Sequence, residues 1–219
     1  MRKLFFTVLF LITVQYFQAQ NLGIFTGVNM MSNYPFQETS EHYYTRFSAK
    51  PGFSLGLELD DFDIGFTPIK LTVKIAKFNT DISHENSGLG GGYNLDVTQG
   101  NYYLSIGTHI LKNKPLSPIQ LSLGFEYSIL LSEKFDGSSR TWSASSGGKT
   151  ESVDENSFEL NMKNIFSITG TIGYKKEVTT GWYIEPQLSI FAGISKELQI
   201  FEPIRTMKFL LEFGISRSL

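Results

Sequence analysis

Between Ile119 and Leu131 every odd-numbered residue is apolar. Gln120, Ser122, Gly124, Glu126 and Ser128 hold the even positions, and Leu130 alone breaks the pattern. A period of two sends successive side chains to opposite faces of a strand. This stretch therefore predicts a long strand, greasy on one face and polar on the other, with a glutamate at its middle. Seven further segments repeat the pattern. They are 21–31 (Leu22, Ile24, Val28, Met30), 50–59 (Phe53, Leu55, Leu57, Leu59 against Ser54, Gly56, Glu58) and 66–78 (Ile69, Leu71, Val73, Ile75 against Lys70, Thr72, Lys74). Next come 102–111 (Leu104, Ile106, Ile110 against Ser105, Gly107, His109) and 158–174 (Phe158, Leu160, Met162, Phe166, Ile168, Ile172 against Glu159, Asn161, Lys163, Ser167, Thr169). The last two are 182–194 (Trp182, Ile184, Leu188, Ile190 against Glu185, Gln187, Ser189) and 205–216 (Met207, Phe209, Leu211, Phe213, Ile215 against Lys208, Glu212, Gly214). No segment of comparable length reads at helical period, so the fold class is all-β.

The connections alternate in length. Those at 32–49, 79–101, 133–157 and 195–204 read as the long set, and those at 60–65, 112–117 and 175–181 as the short set. An even strand number with short turns at one end and long loops at the other is the plan of an outer-membrane barrel. Charge placement agrees with it. The apolar faces hold almost no ionic residue, as lipid exposure requires, since a cation at the bilayer midplane costs about 2–4 kcal/mol. The opposite faces hold Glu58, Lys70, Lys74, Glu126, Glu159, Lys163, Glu185, Lys208 and Glu212. The expectation is an eight-stranded antiparallel up-and-down transmembrane β-barrel with long outer loops and short periplasmic turns. In a barrel of about eight strands the interior is filled by side chains, so these nine residues become a lumenal ionic network that must pair internally. Similar depth pairs Glu58 with Lys70 and Glu126 with Lys163. It also sets Glu185 near Glu212, a pair that would need a cation or a shared proton. Pro186 lacks a ladder donor and predicts a bulge, and Asn164 falls on a lipid face.

Size and composition restrict the rest. A chain of 219 residues with net charge −2 has no electrostatic case for nucleic acid. The absence of cysteine excludes disulfides, thiolate metal sites and a lipid-anchored N-terminus. Arg2 and Lys3 precede an apolar run from Leu4 to Val14, too short for a spanning helix and suited to an export signal. Residues 1–19 are read as the signal peptide, cleaved after Ala19, and 20–219 as the barrel domain.

The stretch NYYLSIGTHILKNKPLSPIQLSLGFEYSILLSEK resembles the central signature of the PorT-like outer-membrane barrels of Bacteroidetes, within the OmpA/OmpX-like group. Tyr103, Leu104 and Ile106 match its first strand; Pro118, Gly124 and Leu130 match its second. Gly107 stands where the family carries proline, and the chain ends on Leu219 in place of an aromatic. The resemblance implies the outer membrane as location, lipid and the barrel-assembly machinery as partners, and for some members a role beside a gliding-associated secretion system.

No cofactor and no metal is expected. His109 reads as a hydrogen-bonded lumenal histidine, His42 and His84 as loop residues, Asp60, Asp61 and Asp63 as a solvated turn, and GLGGGYN (88–94) as a mobile loop. The segment YPFQETSEHYYTRF (34–47) is expected to pack its aromatics above the rim. A protein or glycan partner is expected at 32–49 and 133–157. The functional expectation is a non-enzymatic barrel with a structural, adhesive or secretion-related role. The alternatives are a lipid-modifying barrel enzyme, which needs a Ser–His pair near the outer leaflet, and a soluble lipocalin-like carrier with its apolar stripes turned inward.

Overall fold

The computed structural model describes residues 21–34, 37–39, 43–64, 67–111, 118–143, 145, 147–153, 164–194 and 205–219. The strands are β1 (Asn21–Tyr34), β2 (Gln37–Thr39), β3 (Tyr43–Ile64), β4 (Thr67–Gly88), β5 (Gly91–Leu111), β6 (Ile119–Ser143), β7 (Gly147–Val153), β8 (Ile165–Tyr174), β9 (Lys176–Thr179), β10 (Trp182–Gly193) and β11 (Arg205–Ser218). Eight of them form a closed antiparallel ring in the order β1, β3, β4, β5, β6, β8, β10, β11 and back to β1. β1 closes it, pairing with β11 from Asn21↔Ser218 to Tyr34↔Arg205 and with β3 from Asn21↔Asp60 to Asn29↔Gly52. β2, β7 and β9 extend single strands of the ring outside it. The signal-peptide reading (1–19) and the first third of the predicted sixth strand, with Glu159 and Lys163, lie outside the described residues.

The alternating faces resolve in the direction a bilayer demands. Ile24, Leu123 and Leu211 are 59%, 69% and 63% exposed, while Glu58, Glu126 and Lys208 are each 1% exposed. The apolar stripes thus form an outward belt, and the nine residues from Leu22 to Met30 alone suffice for one crossing. This polarity is the reverse of a lipocalin-like carrier and removes that alternative. Asn164 is exposed on the belt, where its amide is satisfied by the Tyr127 hydroxyl at 3.0 Å and the Leu130 amide at 3.1 Å.

Four expectations are corrected. Of the segments expected as loops, 43–49, 79–88, 91–101 and 133–143 are strand. Above the belt the faces exchange roles, so Phe47, Ile82, Leu95, Val97 and Phe135 point inward into one apolar cluster with Phe78, Tyr103, Phe191 and Leu210. The ladder needs only paired amides, and water outside with apolar contacts inside keeps it stable beyond the lipid. Phe47, from the 34–47 aromatic segment, is in this cluster. Second, the glycine-rich 88–94 stretch is a tight hairpin, with Gly88 opposite Gly91 and the rest in β5. Gly91 has φ 154°, and a Cβ there would sit 2.3 Å from the Trp142 carbonyl oxygen.

Third, Pro186 makes no bulge. It holds register opposite Phe213, and on its other side the ladder simply lapses between β8 and β9, while the register shift of β10 falls at Trp182/Tyr183. A gap two residues long removes the need for the amide that proline lacks. Fourth, Asp60 is not a solvated turn residue. It is fully buried and meets Lys175 at 2.7 Å.

The lumen is narrow enough that large side chains lie over inward glycines of the next strand. A Cβ on Gly23 would stand 2.8 Å from Glu58 Cγ, and one on Gly27 2.3 Å from the Leu211 carbonyl oxygen and 2.7 Å from Glu212 Cγ. Gly27→Ala is therefore expected to destabilise the barrel by about 1–3 kcal/mol through overpacking, read as a lower urea midpoint for loss of the heat-modifiable folded band. Gly90→Ala, with nothing within 4 Å of the new Cβ, is the matched control expected to stay near neutral.

Candidate functional site

Inward positions recur every second residue, so each strand delivers its polar residues to one axis. β3 brings Ser54, Glu58 and Asp60, β4 brings Lys70 and Lys74, β6 brings Glu126 and Ser128, β10 brings Glu185 and Gln187, and β11 brings Lys208 and Glu212. They assemble in two layers.

The layer nearer the chain termini is centred on Lys70. Its ammonium lies 2.8 Å from Glu58 Oε2 and 3.0 Å from Glu185 Oε1, and it donates to Gln187 Oε1 at 3.2 Å. Gln187 Nε2 in turn donates to Glu212 Oε2 at 3.5 Å, and the Ser54 hydroxyl donates to Glu212 Oε1 at 2.8 Å. The expected need for a cation or shared proton between Glu185 and Glu212 is thus met differently. Lys70 neutralises Glu185, while a hydroxyl and an amide hold Glu212.

The outer layer is centred on Glu126, which takes Lys74 on Oε2 at 2.6 Å and Lys208 on Oε1 at 3.2 Å. Lys208 also donates to Ser128 Oγ at 2.8 Å, and Ser128 is linked to Ser105 at 2.7 Å. The expected partner Lys163 lies outside the described residues, and within them Lys74 and Lys208 take its place. Three rings enclose the cations. Lys74 sits 4.2 Å from the Phe191 centroid, and Lys208 sits 5.5, 5.6 and 5.8 Å from Phe78, Tyr103 and Phe191. Ring faces at these distances attract a desolvated ammonium.

Sequence reasoning missed two members, Asp60 and Lys175. Both were findable, because Asp60 continues the even phase of Glu58 and Lys175 the odd phase of Ser167 and Thr169. His109 is buried beside the inner layer, but among the described residues its Nδ1 has no hydrogen-bond partner, contrary to expectation. It borders a void of about 10 Å³ shared with Lys70, Lys74, Gln187 and Glu212, room for about one water. No described serine hydroxyl bonds to it, so the Ser–His pair of a lipid-modifying enzyme does not form at this position. Among the described residues no group of histidine and carboxylate side chains could hold a metal ion.

Above the belt, Glu133 faces the axis and accepts a hydrogen bond from Gln99 Nε2. Burial pushes its carboxyl from 4.5 up to about 7, against the lowering effect of that bond. His84, bonded through Nδ1 to Thr45 Oγ1 at 2.8 Å, is held below its usual range by burial.

No family model and no curated protein matches this chain. Solved structures similar to it include Neisserial surface protein A, at 11% identity and TM-score 0.44, covering 90% of this chain and 97% of that one. The attachment invasion locus protein Ail of Yersinia pestis, solved with a heparin analogue, is similar at 12% identity and TM-score 0.42, covering 91% and 99%. The outer membrane protease OmpT of Escherichia coli is similar at 10% identity and TM-score 0.40, covering 93% and 98%. Likeness of this size transfers no activity, and the barrel rests on the chain's own strand ring.

Two outcomes follow from this geometry. Lys208→Met leaves Glu126 a neutral pair with Lys74, whereas Glu126→Gln strands two buried ammonium groups and is the change expected to cost about 3–5 kcal/mol. Lys208→Met with Glu126→Gln should cost less than the two changes summed, as measured by a double-mutant cycle on urea unfolding. For Glu133, the folded pKa exceeds the unfolded one, so the folded state holds the extra proton between about pH 4.5 and 7. Stability from this group is present below that window and declines as pH rises through it. Glu133→Gln should flatten the pH 4.5–7 slope of the melting temperature.

Proposed function

We propose that this chain is a non-enzymatic integral outer-membrane barrel of the PorT-like kind, with a sealed lumen, which works through the strands that stand above the bilayer. The observation that carries the reading is the filling of the axis. Two ionic layers, an aromatic layer and an apolar cluster succeed one another there, and Glu58, Lys74, Glu126, Lys208 and Tyr103 are at most 4% exposed. A channel needs a continuous wet path, and side chains occupy this one. What remains available for function is the outer sheet built from β3, β4, β5, β6 and β7. Its outward face is polar, with a shallow cleft of about 350 Å³ among Lys50, Asp81, Asp96, Thr98 and Asp136. Asp81 is fixed there by Lys50 at 2.8 Å and Thr98 at 2.6 Å, and Asp96 by Ser83 at 2.7 Å. A protein or glycan partner at 32–49 and 133–157 fits this placement. Export by residues 1–19 and assembly by the barrel machinery complete the reading.

In planar bilayers the purified chain is expected to give no discrete current steps, and a stable conductance would refute the sealed lumen. Proximity labelling from within 133–157 on intact cells should recover the same surface partner reproducibly. Labelling restricted to periplasmic proteins would reverse the assigned orientation.

A further inference from the structure

We propose that the lipid-facing wall between β6 and β10 seats a single phospholipid acyl chain at the middle of the belt. The register aligns Ile110, Leu123, Gly170, Ile190 and Phe209 in one row across five strands. Gly170 occupies the outward phase of β8, between Ile168 and Ile172, both exposed on the belt. Gly170 lies in a groove of about 650 Å³ whose walls include Leu121, Leu123, Ile172, Leu188 and Ile190.

Packing gives no reason for a glycine at this place. Inward Gly27 and Gly124 are forced, since a Cβ on either would collide with backbone at 2.3 or 2.1 Å. At Gly170 a Cβ would meet only Leu123 Cδ2, at an ordinary 3.7 Å. A mid-strand glycine weakens a sheet and often marks close approach of something else.

The groove is continuous with the lipid-facing belt and its walls are aliphatic. The nearby Thr171 hydroxyl is already engaged with Ser189 at 2.8 Å. An occupant must therefore be apolar, thin and conformable, which describes an acyl chain. A second copy of the barrel fits poorly, because one groove walled by five aliphatic side chains is far below the roughly 1,200–2,000 Å² of a stable interface. Gly170 lies midway along this wall, four residues from Tyr174 and four from Phe166, so the groove is at mid-depth of the belt.

The test uses the full barrel in phosphatidylethanolamine vesicles containing a trace of phospholipid with a diazirine at mid-chain. After photolysis, adducts should concentrate on 121–123, 170–172 and 188–190, several-fold above the equivalent belt surface of Leu22, Leu57 and Val73. Gly170→Leu, for which the groove has room, should reduce those adducts to the belt average while the heat-modifiable band is unchanged. Leu188→Phe fills the same slot from its wall and should do likewise, which keeps the test open if the first variant folds poorly. Uniform labelling around the belt, unchanged labelling in both variants, or protein–protein adducts through the groove would each overturn the proposal.

Discussion

Closure of the backbone ladder is the constraint on which everything else depends. In hydrocarbon an unpaired amide has no water to turn to and costs several kcal/mol, so a sheet that crosses must have no edge. β1 supplies this by bonding to β11 over its full length and to β3 over nine successive pairs. The three strands that end without a second neighbour, β2, β7 and β9, are kept outside the ring. The lapse between β8 and β9 is placed opposite Pro186, a residue with no amide hydrogen to strand.

Closing with eight strands also fixes the bore, and the bore dictates the chemistry inside it. There is space for side chains and almost none for water. Taking ions out of water carries a penalty of several kcal/mol each, and only good pairing geometry recovers it. Here Lys70 serves two carboxylates, Glu126 serves two ammonium groups, and Asp60 has Lys175, so few charges are left to face the penalty alone. Volume is balanced strand by strand. Glu58 lies over Gly23 and Glu212 over Gly27, so the glycines that look like weak points within strands are where long polar side chains pass. The network contributes specificity of register as much as stability, because a slip of one residue would turn these ions toward lipid.

Much of this was legible from alternation. The ring, the strand phases, the outward belt and the membership of most of the network follow from which parity is apolar, as at Ile119–Leu131. Pair identities were less legible. Neighbouring strands bring Glu58 to Lys70, but Lys70–Glu185 and Lys208–Glu126 join residues across the bore, which no linear reading of adjacent strands reaches. Asp60 was missed because its neighbours Asp61 and Asp63 made it look like part of a polar turn. The strands beyond the belt were missed for a different reason. Glycine and serine in 79–101 and 133–157 carry turn propensity, and hairpin pairing overrode it. Leu130, the lone exception in the opening pattern, is explained by the same region, since it packs against the apolar cluster just below the exit from lipid.

That exit shows how one sheet serves two solvents. Inside the bilayer the apolar set must face out, and above it the apolar set must face in. β4 and β5 make the exchange in sequence. Odd residues Ile69–Ile75 point out, and then even residues Phe78 and Ile82 point in; β5 passes likewise from Ile106 and Leu104 to Val97 and Leu95. β3 and β6 make it in backbone. Register shifts at Lys50/Phe53 and at Tyr102/Tyr103, where Leu131 is the unpaired extra residue, change which parity faces the axis. Odd residues Phe53 and Phe125 thus face lipid while odd residues Phe47 and Phe135 face the core. A bulge is a local cost in ladder bonds, and here it allows one unbroken alternation to satisfy opposite environments. The result above the membrane is a sheet with its own apolar core and a polar outer face, stiffer than a set of loops. A surface held in place this way loses less conformational entropy on binding, which is the physical reason to test the strands, and not only their tips, for binding.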